Sequence, residues 1–298
     1  MPSVAPPSGS DRVAAPPLPP GRAVDLPGRG RTFARIADGP PGAPTLLLLH
    51  GWTANADLNW FRCYSHLSRR FNVVAIDHRG HGRGIRTRRP FSLSDCADDA
   101  AALARELGHE RVIAVGYSMG GPIAQLLWKR HRDLVEGLVL CATSRNFGRS
   151  TPERLMFTGM LGLSGVARLT PAALRRRVTG RIFGSRWEQS PIAAWVAAEL
   201  QRNDPATVLQ AGYSIGRFSS ADWIGEVDVP TAVLVTLHDQ VVATRRQLRL
   251  AESIPGAEVI RIAGDHGVCV TDPGRFVPSL VDGATRVSRR ARSGGAVH

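Results

Sequence analysis

Residues 116–120 read Gly-Tyr-Ser-Met-Gly, which sets Ser118 between an apolar run, RVIAV, and a helical pattern, GGPIAQLLWKRH. A serine on so tight a strand-to-helix turn occupies a strained backbone conformation, and its neighbours must be small; Gly116, Gly120 and Gly121 supply that room. A serine hydroxyl is a weak nucleophile near neutral pH, so it needs an adjacent base, and the base needs an orienting acid. Among the nine histidines, His266 follows a late acidic strand end and sits in a loop after an expected strand, flanked by Gly264 and Gly267. It is the candidate base. Asp239 closes TAVLVTLHD and precedes QVV, a setting from which its carboxylate can reach the imidazole, and it is the candidate acid. Asp265, directly before His266, is the competing acid. The chemistry such a set performs is nucleophilic acyl transfer.

The tetrahedral oxyanion of that reaction needs backbone N–H donors. Met119, just after Ser118 at a helix start, presents an amide that points outward with the helix dipole behind it. The second donor comes from the loop after TLLLL, which reads HGWT: Trp52 is the first choice and Thr53 the alternative. Several nearby residues have plainer readings. Ser118 is also a good helix N-cap type, and Cys269, close to His266, is an alternative nucleophile. Asp77, Arg79 and His81 are expected to hold a loop together. His50 is expected to be buried and hydrogen-bonded, and His238 to be exposed or to support Asp239.

These residues need a scaffold, and the chain after residue 23 alternates short β-like runs with helical patterns, the mark of a mostly parallel sheet covered on both faces. AVDLPGRG and RTFARIAD predict an opening hairpin turned near Gly28 to Gly30. Apolar runs at 45–51, 71–80, 111–121, 134–144, 230–239 and 257–267 predict six further strands, eight in all. Helices are expected over 92–108, which Ser92 or Ser94 can cap and Gly108 follows, over 244–254 and over about 273–287.

Between Ser144 and the strand at 230 the pattern turns helical, broken by glycines and prolines, and is too long for a structureless loop. It predicts a helical cap at 146–222, with Leu155, Met156, Phe157, Met160, Leu161, Leu163, Phe183, Trp187, Trp195 and Val196 packing it and lining an acyl pocket. The core is then 23–145 and 223–287, with a Pro-rich disordered arm at 1–22 and a basic flexible tail at 288–298.

The segments HGWT at 50–53, DHRGHG at 77–82, GYSMGG at 116–121, the strand ending in Asp239, and GDHG at 264–267 together resemble the α/β-hydrolase superfamily over roughly residues 23–287. The nearest group is the small esterases, cofactor-free haloperoxidase-like hydrolases and carbon–carbon bond hydrolases with a helical cap after the sixth strand. The resemblance implies a Ser118–His266–Asp239 triad, no cofactor or metal, and a small-molecule acyl substrate. Haloalkane dehalogenases and epoxide hydrolases of this fold carry Asp at the elbow; Ser118 excludes both chemistries.

Composition bounds the remaining classes. The formal charge is +13, yet only Lys129 of the 38 basic residues is lysine, and the excess of Arg, Ala, Gly and Pro reads as coding bias. No aromatic residues interleave with the basic clusters, so no specific nucleic-acid partner is expected, and a weak contact with an anionic surface is the most that charge implies. Arg175, Arg176 and Arg177 read as a solvated helix face or as a steering patch for an acidic ester or anionic lipid. No apolar run spans a membrane, the amino-terminal segment lacks a secretory pattern, and Cys63, Cys96, Cys141 and Cys269 are scattered singly. The expectation is a cytoplasmic protein with reduced thiols.

Overall fold

The run TLLLL shows how the sheet organises the core. As strand β3 (Thr45–Leu49) its side chains alternate, sending Leu47 and Leu49 into one apolar cluster and Leu46 and Leu48 into the other, all four fully buried. Each such side chain contributes about 1.5–3 kcal/mol of hydrophobic stabilisation. A strand apolar on both faces must lie mid-sheet, and β3 does.

The computed structural model describes residues 15–148, 150–169 and 192–294. Around β3 lie β1 (Gly21–Leu26), β2 (Gly30–Ala37), β4 (Asn72–Ile76), β5 (Val112–Tyr117), β6 (Val135–Cys141), β7 (Thr231–Thr236) and β8 (Glu258–Ile262). Their spatial order is β1-β2-β4-β3-β5-β6-β7-β8. β1 and β2 form the expected hairpin, turned through Gly28 at φ 70°, and β2 runs antiparallel to β4. The other pairings are parallel, giving the predicted eight-stranded, mostly parallel sheet.

One face is covered by α3 (Leu93–Glu106), α4 (Gly120–Arg130) and α8 (Thr244–Ser253); the other by α1 (Ala56–Trp60), α2 (Tyr64–Leu67), α9 (Val268–Thr271) and α10 (Pro273–Gly294). The Ser92 hydroxyl caps α3 by accepting from the Asp95 amide at 3.4 Å. Between β6 and β7 stand α5 (Thr151–Leu169), α6 (Ala193–Gln201) and α7 (Pro205–Arg217). α7 meets α5 through glycines: a Cβ on Gly212 would fall 2.4 Å from Met160 Sδ, and one on Gly216 2.3 Å from the Phe157 ring. Trp195 and Val196 are buried, whereas Leu155, Met156, Leu161 and Leu163 are exposed rather than packed. Phe183, Trp187 and Arg175 to Arg177 lie outside the described residues, as do 1–14 and 295–298.

Two expected boundaries need correction. Residues 288–294, read as flexible tail, continue α10, because Val287 and Ser288 are buried and Arg286 and Arg290 both pair with Glu258, at 3.3 and 3.2 Å. Likewise β1 starts at Gly21, inside the segment read as an arm. Among the described residues no helix is long and apolar enough to cross a membrane.

Candidate active site

β5 delivers Ser118 into the turn before α4, and the residue has φ 52°, a left-handed conformation that costs a non-glycine residue about 1–3 kcal/mol. The strain is held from several directions. Ser118 N–H donates to Cys141 O at 2.9 Å, and Ser118 O accepts from Gly121 N at 2.9 Å and from Thr143 Oγ1 at 2.8 Å. The glycines are required by contact: a Cβ on Gly116 would lie 2.2 Å from Gly120 O, and one on Gly120 2.0 Å from Leu49 O. Ser118 does not cap α4. Met119 takes the N-cap position, and the Ser118 hydroxyl is engaged elsewhere.

That engagement is with His266, whose Nε2 lies 3.0 Å from Ser118 Oγ, while its Nδ1 lies 2.8 Å from Asp239 Oδ2. An ionised carboxylate only accepts, so Nδ1 carries the proton and Nε2 is left to accept from the serine hydroxyl. The structure therefore joins Ser118, His266 and Asp239, drawn from three different strand ends. Asp265, the competing acid, is exposed and accepts from the Gly267 amide at 2.8 Å instead.

Asp239 is buried and lies in a dense set of donors. Oδ1 accepts from the amides of Val241 and Val242, each at 2.8 Å, and Oδ2 accepts from Thr236 Oγ1 at 2.8 Å and Gln247 Nε2 at 3.1 Å. Burial by itself raises the carboxyl's pKa, but the hydrogen bond and charge of His266 with these donors outweigh it, and the carboxyl is held below its usual range. Gln247 also donates to Thr236 Oγ1 and Val242 O, each at 2.7 Å. Tyr117, next to Ser118, fixes the other side of the histidine by donating its hydroxyl to His266 O at 2.7 Å. Thr236, Gln247 and Tyr117 were not legible as site residues; each becomes one only once strand ends converge.

The HGWT loop lies against the serine: a Cβ on Gly51 would be 3.4 Å from Ser118 Cβ. Ala54 N–H donates to Gly51 O at 3.3 Å, closing a turn over Trp52 and Thr53 in which Thr53 has φ 64°. The Trp52 indole donates to Val208 O on α7 at 2.8 Å, so the insertion touches this loop directly.

The remaining candidates fall where the plainer readings put them. His50 is buried, its Nδ1 donating to Gly51 O at 2.8 Å and its Nε2 accepting from His78 N at 3.0 Å. Asp77 accepts from the Ala56 and Arg83 amides at 2.8 and 2.7 Å, Arg79 chelates Asp99, and His81 Nδ1 meets Arg79 O at 2.9 Å. His238 is exposed. Cys269 is buried, and burial pushes its thiol up to about 12, so it stays protonated and inert.

The profile of the alpha/beta hydrolase fold matches residues 44–273, which is most of the chain and includes all of these residues. The chain belongs to the α/β-hydrolase fold family. Its curated relatives in that family include a "putative carbamate hydrolase" of Agrobacterium fabrum, 28% identical over 80% of this chain and 92% of that protein. Another is the pimeloyl-acyl-carrier-protein methyl ester esterase of Nitrosomonas europaea, 26% identical over 78% of this chain and 93% of that one. Among solved structures, the enol-lactonase from Burkholderia xenovorans superposes with TM-score 0.70 at 23% identity, covering 89% of this chain and all of that one, 100%. α/β-hydrolase membership establishes the fold and a family of hydrolases, not the bond that is cut.

Proposed function

We propose that this α/β-hydrolase cleaves a carboxylic ester of a small or medium acyl group, with Ser118 as nucleophile, His266 as base and Asp239 as the orienting acid. The observation that carries this reading is the unbroken relay from Ser118 Oγ to His266 at 3.0 Å and on to Asp239 at 2.8 Å, starting from a serine whose backbone is strained at φ 52°. In the reaction, Ser118 Oγ attacks the ester carbonyl as His266 Nε2 takes its proton, and Asp239 stabilises the imidazolium through Nδ1–H. The carbonyl oxygen becomes an oxyanion, which the amides of Met119 and Trp52 receive; one such donor is worth about 3 kcal/mol of barrier. His266 then protonates the departing alcohol, leaving an acyl-enzyme. Water, deprotonated by His266, releases the acid and restores the serine.

The helices between β6 and β7 act in this reading as a cap that keeps bulk water from Ser118. The carbamate hydrolase named among the relatives supports a second reading, in which the same residues attack a carbamate carbonyl. A thioester, lactone, carbon–carbon bond or perhydrolysis substrate would use them in the same way. A member of the fold that binds ligand without turnover is the contrasting class. A panel of acyl substrates separates the ester, carbamate, thioester and lactone readings, and turnover of p-nitrophenyl acetate and butyrate separates catalysis from binding alone: the wild-type chain hydrolyses them, and Ser118→Ala lowers kcat by about 10³-fold or more. Unaltered turnover in Ser118→Ala overturns the proposal.

A further inference from the structure

Within the loop after β3, Thr53 is the residue least able to hold its conformation unaided. It is β-branched, at φ 64°, in the third position of the Gly51–Ala54 turn, a place where turns of this hand ordinarily use glycine. Something must hold it, and the neighbouring contacts identify what. The Thr53 carbonyl accepts from Asn203 Nδ2 at 2.6 Å, and Asn203 Oδ1 accepts from the Gly82 amide at 2.7 Å. Asn203 stands in the junction between α6 and α7, more than a hundred residues from Thr53 in sequence, and is half-buried.

The junction is itself fixed to the body. Asp204 N–H donates to Gly80 O at 2.7 Å, Arg86 donates to Arg202 O at 2.6 Å, and Glu199 accepts from Asn55 at 2.8 Å. One side-chain amide thus ties two left-handed residues, Thr53 and Gly82 at φ 50°, to the helical insertion, and Val208 holds the Trp52 indole a few residues further on. From the body's own side, Asn59 Oδ1 accepts from Gly51 N at 2.8 Å, but the described contacts of the Thr53 carbonyl lead only to Asn203.

We infer that Asn203 is a positioning residue for the oxyanion site: by holding the Thr53 carbonyl it keeps the Trp52–Thr53 turn in the strained form that aims the Trp52 amide at Ser118. The inference rests on the reading of Ser118 and Trp52 given above. It also makes the insertion part of the oxyanion machinery, so that a displaced α6–α7 junction costs transition-state stabilisation before it costs substrate binding.

Asn203→Asp is the discriminating variant. It keeps an acceptor for the Gly82 amide but puts an oxygen against the Thr53 carbonyl, so only one bond is lost and repulsion replaces it. Compared with wild type on p-nitrophenyl butyrate, kcat is expected to fall about 10- to 100-fold with KM within about twofold. The Ki of an alkyl boronic acid, which forms a tetrahedral adduct on the serine, is expected to rise by the same factor as kcat falls, while the Ki of butyrate stays put. A purely structural role would change none of these ratios in protein that melts normally. Should Asn203→Asp melt below the assay temperature, Asn203→Ala, which removes both bonds without repulsion, is read by the same kcat, KM and boronate comparison. A kcat within twofold of wild type in the folded variant, or a loss carried by KM, overturns the inference alone. A wild-type chain without Ser118-dependent turnover overturns the functional reading and this inference with it.

Discussion

Asp239 accepts hydrogen bonds from Val241, Val242, Thr236, Gln247 and His266, which leaves it no role but that of a fixed anion. Its depressed pKa follows from that company, and the sign of the linkage is clear: the stabilisation it gives is present above its unfolded value near 3.9 and is lost only as pH falls through the lower folded one. Replacing it with an amide offers N–H where an acceptor is needed and favours the wrong imidazole tautomer. Asp239→Asn is expected to lower kcat by about 10³- to 10⁴-fold, on the scale of the corresponding change in the serine-protease triad. Asp265→Asn, at the neighbouring exposed carboxylate, should change kcat less than threefold; steady-state assays of both variants decide between the two acids. Ser118, His266 and Asp239 were legible from sequence because each carries a local signal: a glycine-flanked serine, a glycine-flanked histidine and a strand-ending aspartate. Thr236 and Gln247 carry none. Their side chains matter only because α8 folds back on the end of β7, a contact that no periodicity announces.

The elements were legible for a different reason. Runs such as TLLLL and NVVAI must be strands in the middle of a sheet, since both faces need cover, and the serine of Gly-Tyr-Ser-Met-Gly then has to emerge where β5 meets α4. What periodicity could not supply was the closeness of that meeting. The Gly120 position passes so near Leu49 O that an added methyl cannot fit, so Gly120→Ala is expected to cost about 3 kcal/mol of stability, measured by urea unfolding, and to lower activity as the elbow shifts. A stable and fully active Gly120→Ala protein would show that the elbow tolerates a wider turn. The end of α10 was misread because SRRAR looks like a frayed segment, whereas Glu258 on β8 pairs with Arg286 and Arg290 and holds those turns in place.

Among the described residues, many of the arginines are held in ion pairs with carboxylates. Arg35 and Arg83 share buried Asp57, Arg79 and Arg29 share Asp99, and on the surface Arg105, Arg130 and Arg132 meet Asp133, Asp98 and Glu226. A pH response is expected from three buried imidazoles in and beside the loop after β3. Burial lowers His50 to about 4 and His81 to about 3, and burial with the nearby charge of His50 and His81 puts His78 well below its ordinary value. Unfolded, each takes a proton near pH 6.5; folded, none does until far lower. Stability is therefore full above about pH 6.5 and is lost as pH falls toward the folded values, by about 1.4 kcal/mol per pH unit for each histidine. Asp77, whose burial raises its carboxyl, opposes this at the acid end. Urea midpoints at pH 7 and pH 5 test the balance: a clear drop is expected, and equal midpoints would contradict it.

The most direct test of the central claim is peptide mapping by mass spectrometry after treatment of the folded protein with a fluorophosphonate. The account predicts one phosphonyl adduct, on Ser118, slowed by a competing ester and abolished by prior denaturation. Folded protein that takes no adduct, or takes it on another residue, would contradict it.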